Sequence, residues 1–292
     1  MEIDSKCYTF KRLEAVEGLF DPSVDATYVI TLEGNGRYEK VEGELKKYHP
    51  TKVLYIMSNR GYKRCNKNLK QNLPRYDLTD AFINVFRHAN QQGYKNVLIL
   101  EDDFIFSDRV FDPAVQANVN GFISARTDTN FIYLLGCLPQ LQLPYDRYHN
   151  IPLFSGGMHA VVYSRLSREM ALHDYQTTTI DDWDIYYNWR LNRYTYYEPL
   201  VYQIYPMTEN RKNWACWDIT LYLADLTFKY YRLDRDPEPG HSIFYARSKA
   251  AFYFYILAAI VVVWFLFFYA PYTKVAAKTI KYIRKLSGRF TR

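Results

Sequence analysis

The sequence predicts an α/β protein with a mostly parallel central sheet, followed by one transmembrane helix. Short apolar runs alternate with segments whose apolar residues recur at helical spacing, which is the order of β-α-β units. One run, residues 97–100, is apolar throughout, as expected of a strand that is covered on both faces. Near the end of the chain, residues 250–270 carry no charge over 21 positions, which is long enough to cross a bilayer.

Strands and helices alternate along the first half of the chain. Residues 27–32 and 52–57 are the first two predicted strands, and residues 38–48 form the predicted helix between them. Residues 78–91 have apolar side chains at helical spacing, and Gly93 follows as a C-cap. Further predicted strands are residues 97–100, 131–135 and 159–163.

Five regions are expected along the chain. Two prolines and a glycine precede the apolar segment and interrupt regular structure, so a linker is predicted there. The predicted regions are an N-terminal extension (1–26), an α/β body (27–232), the linker (233–249), the transmembrane helix (250–270) and a basic tail (271–292).

The predicted transmembrane helix has aromatic residues at both ends, as at membrane–water interfaces. A buried core helix is the alternative, but such helices rarely lack polar positions over this length. The basic residues after position 270 favour a cytosolic C-terminus, whereas a late span without an N-terminal leader favours a cytosolic body. Of the two orientations, we expect the cytosolic body.

The net charge of +6 belongs to the tail. Seven of the 37 basic residues lie beyond position 270, and the other 30 oppose 31 acidic residues. Nucleic-acid binding needs a concentrated basic face, so no nucleic-acid partner is predicted for the body. The four cysteines lie far apart and form no Cys/His cluster, so we expect free thiols in a reducing compartment.

Three consecutive carboxylates, Glu101, Asp102 and Asp103, follow the apolar strand 97–100. In α/β sheets, ligands bind at the carboxyl ends of the strands. Clustered carboxylate oxygens are ligands for Mg²⁺ or Mn²⁺, and such an ion stabilises a diphosphate leaving group. The alternative is a solvated acidic turn.

A second acidic group contains Asp181 and Asp184 and follows the hydroxyl residues 177–179. One of these carboxylates is a candidate general base for an acceptor hydroxyl, beside aromatic residues that can stack on sugar rings. The alternative is a helix N-terminus, where Asp and Thr act as caps.

The glycine motifs of the common nucleotide-binding loops are missing. Gly34 and Gly36 are not followed by a third glycine, and neither GxxxxGK[ST] nor GxSxG occurs. These absences argue against a Rossmann dehydrogenase, a P-loop enzyme and a common esterase. Gly156 and Gly157, before His159, fit either a backbone that approaches a ligand closely or a tight turn.

Taken in order, several blocks resemble glycosyltransferase family 25, which contains lipopolysaccharide and collagen galactosyltransferases. Residues 28–32 with Arg37 are similar to the opening strand of the family, and residues 93–103 to its G…VLVLEDD block. Residues 157–165 resemble its GTHAYLVSR strand. Residues 180–181 and 199–203 resemble its VDH and PLVEQ pieces, so the likeness extends from about residue 27 to 205.

The sequence departs from the family at two places. Residues 77–82 replace its GCxxSH helix start, and Asp182 stands where the family has a histidine.

The resemblance implies a GT-A-type fold, with residues 27–232 as the catalytic domain. It implies that Asp103 and Asp102 chelate Mn²⁺ or Mg²⁺ together with the diphosphate of a UDP-sugar, which carries galactose or glucose. Asp181, and less securely Asp184, would be the base in an inverting attack by an acceptor hydroxyl of a glycan, a protein or a lipid-linked molecule. The residues expected at the donor are Thr31, Arg37, Glu101, Asp102, His159 and Gln203.

Two other functions are compatible with the sequence. The replacement at residues 77–82 is also expected in a catalytically silent glycosyltransferase-like membrane protein with a binding or scaffolding role. The second alternative is a metal-dependent nucleotidyltransferase, because carboxylates at the end of a strand can also bind the metal ion that nucleotidyl transfer requires.

Overall fold

The computed structural model describes residues 4–178, 180–188, 192–205 and 218–269, with positions 272, 273 and 278 beyond them. The predicted basic tail therefore lies almost entirely outside the described residues. The chain divides into two units, Met1–Ser248 and Lys249–Arg292. The first unit is the α/β body, and the second contains the apolar part of the C-terminal helix.

A seven-stranded mixed sheet runs through the body, in the order β1-β3-β2-β4-β7-β6-β8. The strands β3, β2 and β4 are parallel, whereas β1 and β7 run antiparallel to their neighbours. A second sheet pairs β5 with β9. The strands are β1 Tyr8–Glu14, β2 Ala26–Leu32, β3 Val53–Asn59, β4 Asn96–Glu101, β5 Phe104–Phe106, β6 Phe131–Pro144, β7 His149–Ser164, β8 Asn192–Tyr196 and β9 Val201–Gln203.

Helices cover both faces of the sheet. Helices α2, α4 and α5 pack in one hydrophobic cluster, and α1 and α3 pack in the other. Side chains of β4 alternate between the two clusters, with Ile99 on one side and Leu98 on the other. The helices are α1 Tyr38–Tyr48, α2 Pro74–Gln91, α3 Pro113–Ser124, α4 Arg165–Thr177, α5 Trp183–Asn188, α6 Asp218–Tyr230 and α7 Gly240–Trp264.

The α/β class and the predicted elements are confirmed. Helix α1 occupies the predicted residues, and β2, β3 and β4 lie within one or two residues of their predicted bounds. Helix α2 begins four residues before the predicted start because Pro74 is accepted in its first turn. The sheet is parallel at its centre and mixed overall, since the long strand β7 enters between β4 and β6.

The predicted N-terminal extension contains a strand of the main sheet. Strand β1 pairs antiparallel with β3, from Tyr8 opposite Asn59 to Glu14 opposite Val53. Its charged residues Lys11, Arg12 and Glu14 are exposed, as is usual in an edge strand, and they interrupt the apolar alternation that would have revealed the strand in the sequence.

The pairing of β1 with β3 also explains a disulfide that the sequence did not predict. Cys7 precedes β1, and Cys65 follows β3, so the two residues become neighbours with a Cα–Cα distance of 5.6 Å. The expectation of free thiols is therefore wrong for Cys7 and Cys65. Their separation of 58 residues gives no hint of this, because the contact depends on the sheet. Cys137 is a buried free thiol, and Cys216 lies outside the described residues.

Residues 233–248 pack as part of the body rather than as the predicted linker. Leu233, Phe244 and Tyr245 are buried, and the Glu238 carboxylate accepts a hydrogen bond from the Tyr202 hydroxyl at 2.5 Å. Prolines in this segment interrupt helical structure, but they do not prevent its apolar neighbours from packing.

One helix in the described part of the chain, spanning residues 240–269, is long and apolar enough to cross a membrane. It comprises α7 and a π-helical turn, Phe265–Tyr269. Its large side chains from Tyr253 to Tyr269 are exposed. The predicted apolar span is thus present as a helix, which begins ten residues earlier than residue 250.

Arg168 supplies a stability prediction because its fully buried guanidinium joins α4 to the turn before β4. It donates to the carbonyl oxygens of Tyr94 at 2.5 Å and Tyr163 at 2.9 Å. Arg168→Met retains bulk but leaves these carbonyls without this donor, which costs about 3 kcal/mol, or a midpoint lower by about 6–12 °C. Thermal unfolding of the full chain in detergent measures this shift.

The matched control is Arg165→Met, on the same helix. Arg165 is exposed and pairs only with Glu169 among the contacts described for it, so its loss changes stability by about 0.5 kcal/mol or less. Equal midpoints for the two variants would contradict the role assigned to Arg168.

Candidate functional site

A cleft of about 590 Å³ lies at the carboxyl ends of β2, β3 and β4. This is the edge at which open α/β sheets bind ligands. Its walls come from the segments that follow these strands, from the first turns of α2 and α5, and from the residues after β9. The lining residues include Leu32, Asn35, Arg37, Asn59, Arg60, Asp77, Glu101, Asp102, Asp103, Gly157, Asp184, Gln203 and Tyr205.

The predicted acidic triplet lies in this cleft and is contacted from two sides. Arg37 Nη1 donates to Asp102 Oδ1 at 2.5 Å and to Asp103 Oδ2 at 3.1 Å. From the other side, Gln203 Nε2 donates to Asp103 Oδ1 at 2.7 Å. The pairing of β5 with β9 places Phe104 opposite Gln203, which explains why a residue 100 positions away reaches Asp103.

Asp102 also fixes the turn between β2 and α1. The side-chain amide of Asn35 and the backbone N–H of Leu32, at 3.3 Å, both donate to Asp102 Oδ2. Gly34 and Gly36 have φ values of 77° and 75°, a conformation that glycine adopts readily and that the tight turn requires. The hydrogen bonds from Leu32 and Asn35 to Asp102 therefore hold the turn in a position that places Arg37 beside the carboxylates.

Negative charge in the cluster exceeds what Arg37 compensates. Burial raises the pKa of Glu101 well above its ordinary value, and the charges of Asp103 and Asp184 raise it further. Burial also raises the pKa of Asp103, against the opposing effect of Arg37. Burial raises the pKa of Asp184 to about 7, with a smaller contribution from Asp182. Such a cluster favours either an added cation or a protonated carboxyl, and perturbed groups of this kind concentrate at functional sites.

The two candidate bases lie in different environments. Asp184 lines the cleft and accepts the N–H groups of Gly157 at 2.6 Å and Met158 at 3.4 Å. Asp181 is exposed and is not among the residues that line the cleft. Its carboxylate accepts from Lys70 Nζ at 2.8 Å and Tyr76 at 2.7 Å, and these contacts lower its pKa. Only Asp184 is therefore brought to the acidic triplet.

Thr31 and His159, both expected at the donor, are buried and support the walls of the cleft. Thr31 Oγ1 donates to the carbonyl oxygen of Met57 at 3.2 Å. The His159 ring lies between the carbonyl oxygens of Gly157, at 2.6 Å, and Val201, at 3.1 Å. Burial lowers the pKa of His159 to about 4, so the ring is neutral near pH 7 and donates its single N–H to one of these two carbonyl oxygens.

Gly157 is required by its surroundings. Its φ is 60°, and a Cβ at this position would lie 2.2 Å from the Tyr205 hydroxyl. The neighbour that requires glycine here is the side chain of Tyr205, so neither a ligand nor a tight turn is needed to explain this residue.

The acidic triplet offers the type of ligand that a divalent cation needs. Carboxylate oxygens are the ligands that Mg²⁺ and Mn²⁺ prefer, and the raised pKa values of Glu101 and Asp103 show that negative charge on these two residues is not fully compensated. As they stand, however, the residues that the structure describes form no group of three or more His, Cys, Asp or Glu side chains arranged to hold a metal ion. Arg37 contacts the same oxygens, so a cation at Asp102 and Asp103 would share them with the guanidinium.

A buried ion pair on another wall of the cleft could not be foreseen from the sequence. Lys67 Nζ lies 2.5 Å from both Asp77 Oδ1 and Asn59 Oδ1, and 2.7 Å from the Tyr8 hydroxyl. The side chains of Lys67 and Asp77 are only 1% and 8% exposed. Asp77 lies in the segment 77–82, where the sequence departs from family 25. This departure was the one feature of the sequence that pointed to an unusual residue here. Lys67 lies in an irregular polar segment that has no periodicity to reveal its burial.

Residues 60–67, which we term the basic loop, bring positive charge to the cleft. The loop is attached at Gly61, whose N–H donates to Asn59 Oδ1 at 2.7 Å, at the Cys65 disulfide and at buried Lys67. Three cationic residues of the loop line the cleft: Arg60, Lys63 and Arg64. Arginine in such a position is suited to phosphate groups.

No model of a known protein family matches the chain, and comparison with curated proteins finds no match. The resemblance to family 25 therefore depends on the sequence blocks themselves.

The raised pKa of Asp184 predicts how stability varies with pH. Folded Asp184 retains its proton to about pH 7, whereas an unfolded aspartate releases it near pH 4, so the folded state binds more protons in between. Stability therefore decreases as pH rises through this interval. Thermal unfolding should show that Asp184→Asn removes on the order of 2 kcal/mol of this decrease between about pH 5 and about pH 7.5.

Asp108→Asn is the control for this pH dependence. Asp108 is exposed and paired with Lys47, and its pKa is lowered, so its titration lies below the tested interval. Glu101 and Asp103 keep part of the slope in every variant. Identical pH profiles for Asp184→Asn and the wild type would contradict the burial of this carboxylate.

Proposed function

We propose that the body is a metal-dependent glycosyltransferase of GT-A type, which transfers a hexose from a UDP-sugar to an acceptor hydroxyl. The observation that carries this proposal is the meeting of Arg37, Asp102, Asp103 and Gln203 in one cleft. These residues come from three separate blocks that resemble family 25, and the cleft lies at the strand ends where the resemblance puts the donor.

Positive charge at the diphosphate would come from a bound ion and from basic residues of the cleft. When bound at Asp102 and Asp103, a divalent ion supplies charge neutralisation to the departing diphosphate. Arg37 adds positive charge at the same place, and Arg60 and Arg64 of the basic loop add it along the cleft wall.

Asp184 is the better candidate for the base, because Asp181 lies outside the cleft lining. A carboxyl with a pKa of about 7 is well matched to a proton transfer near neutral pH. In a single displacement, the acceptor oxygen bonds to the anomeric carbon and loses its proton to Asp184, while the bond to UDP breaks. This step inverts the anomeric centre and leaves UDP as the second product. The expected reaction is transfer of galactose or glucose to a glycan, a protein or a lipid-linked acceptor.

Asp103→Asn tests the donor site. UDP with Mn²⁺, at about 100 times its dissociation constant, should stabilise the wild type by about 2.7 kcal/mol, and the variant should lose this shift and the turnover of UDP-sugars. The free variant should be at least as stable as the wild type, since burial disfavours the charge of Asp103. Thermal unfolding and UDP release measure both properties.

The control for ligand binding is Asp108→Asn, a change at an exposed aspartate that keeps the cleft intact. Binding of UDP without turnover of any UDP-sugar would favour the silent, glycosyltransferase-like alternative. If a screen of nucleotide-sugars with Mn²⁺ produces neither a shift nor turnover in the wild type, the enzyme proposal fails.

We further infer that the body lies on the oxidising side of a membrane, with helix α7 as its anchor and the C-terminus in the cytosol. Disulfides such as Cys7–Cys65 persist in oxidising compartments. The basic residues after position 270 favour a cytosolic tail. Both observations agree with each other and oppose the cytosolic body expected from the sequence.

A glycosylation sequon tests this orientation. The sequence contains no Asn-x-Ser/Thr, and Gln176→Asn creates one, with Thr178, at an exposed position at the end of α4. In cells whose secretory pathway modifies such sites, this variant should gain one glycan, visible as a gel shift that a glycosidase removes. Arg289→Asn, which creates a sequon in the tail, should gain none. If the Gln176→Asn variant gains no glycan, the inferred orientation is wrong and the body is cytosolic, as expected from the sequence.

A further inference from the structure

The outward face of α6 is apolar. Four of its side chains, which we term the α6 stripe, are between 45% and 81% exposed: Tyr222, Leu223, Leu226 and Tyr230. The opposite face is turned into the body through Phe228, whose ring stacks on that of Tyr205 with centroids 4.9 Å apart. Surface helices normally place polar residues outward, so this pattern is reversed for a helix in contact with water.

Helix α6 ends beside the part of α7 that leads into the apolar segment. The Tyr230 ring contacts Tyr231 at 4.9 Å, and Tyr231 contacts Phe244 of α7 at 5.4 Å. The Arg247 guanidinium lies 5.8 Å from the Tyr231 ring. Since the uncharged segment begins at residue 250, chain continuity alone keeps the end of α6 near the point where the chain would enter a membrane.

We propose that α6 lies in the membrane–water interface with the α6 stripe against lipid, an inference that rests on the proposed anchor. Interfacial helices bury one apolar face at the boundary of headgroups and acyl chains, and tyrosine is enriched at that depth. Tyr222 and Tyr230 supply such rings, and Leu223 and Leu226 supply the apolar area between them.

The charges near the stripe agree with lipid as the partner. Lys229 flanks the stripe and pairs with Asp225 at 2.7 Å, and its side chain is 62% exposed. Together with Arg247, it can extend its charged end toward lipid phosphates while its stem covers apolar surface.

Quenching of a fluorophore by nitroxide lipids tests the proposal. The full chain, with Cys216→Ser, is placed in vesicles of phosphatidylcholine and phosphatidylglycerol and labelled at Leu226→Cys. Cys7 and Cys65 are oxidised and Cys137 is buried, so the introduced thiol is the reactive one. A stripe that lies in the interface should lose about half of its fluorescence or more.

Two further labels bracket this result. Leu257→Cys, in the apolar helix, reports the anchor, and Leu166→Cys, an exposed leucine on α4, reports the rest of the body. We expect strong quenching at 257 and 226 and little at 166. Tyr230→Cys is a second stripe position, in case Leu226→Cys does not fold.

The outcomes distinguish the helix from the anchor. Quenching at 257 without quenching at either stripe position overturns the α6 proposal and leaves the anchor intact. No quenching at 257 overturns both. Shielding of the stripe labels from lipid and aqueous quenchers alike, with cross-linking between copies, would identify a second copy of the chain as the partner and overturn the lipid proposal.

Discussion

The burial of negative charge at the end of β4 is the constraint on which the site depends. Carboxylates at this position cost free energy, as the raised pKa values of Glu101 and Asp103 show, and the body offsets part of that cost with Arg37 and Gln203. The glycine turn after β2 positions Arg37 beside these carboxylates, and the pairing of β5 with β9 positions Gln203. A charge that is only partly compensated favours either a bound cation or a protonated carboxyl. The proposal of a cation that carries a diphosphate takes the first of these alternatives, in agreement with the resemblance.

Local patterns predicted those parts of the fold that depend on neighbouring residues. Strand β4 is apolar because both of its faces are covered, so its end, and the acidic triplet with it, could be found from the sequence. The choice between Asp181 and Asp184 could not, because it depends on α5 beginning at Trp183, and a shift of one or two residues exchanges the outward and inward carboxylates. The pairing of strands across the sheet could not be predicted from local sequence patterns either. Strand β1 must first lie beside β3 before Cys7 can meet Cys65.

The pairing of β1 with β3 also constrains the basic loop that lines the cleft. The disulfide follows Arg64 directly, and the buried Lys67–Asp77 pair lies two residues further on. Both attachments reduce the freedom of the basic loop, which otherwise would lose conformational entropy on binding an anion. The Cys7–Cys65 disulfide therefore preorganises the cationic wall of the cleft.

Helix α6 contacts a residue that lines the cleft. Its outer face carries the α6 stripe, while Phe228 on its inner face stacks on Tyr205, a residue that lines the cleft. The Tyr205 hydroxyl in turn lies against Gly157, whose N–H is held by Asp184 at 2.6 Å. The α6 stripe and the candidate base are thus connected through Phe228, Tyr205 and Gly157. If the α6 stripe lies against lipid, as proposed, the membrane contact and Asp184 are therefore connected through adjoining side chains of the body, in an interior whose close packing transmits displacements.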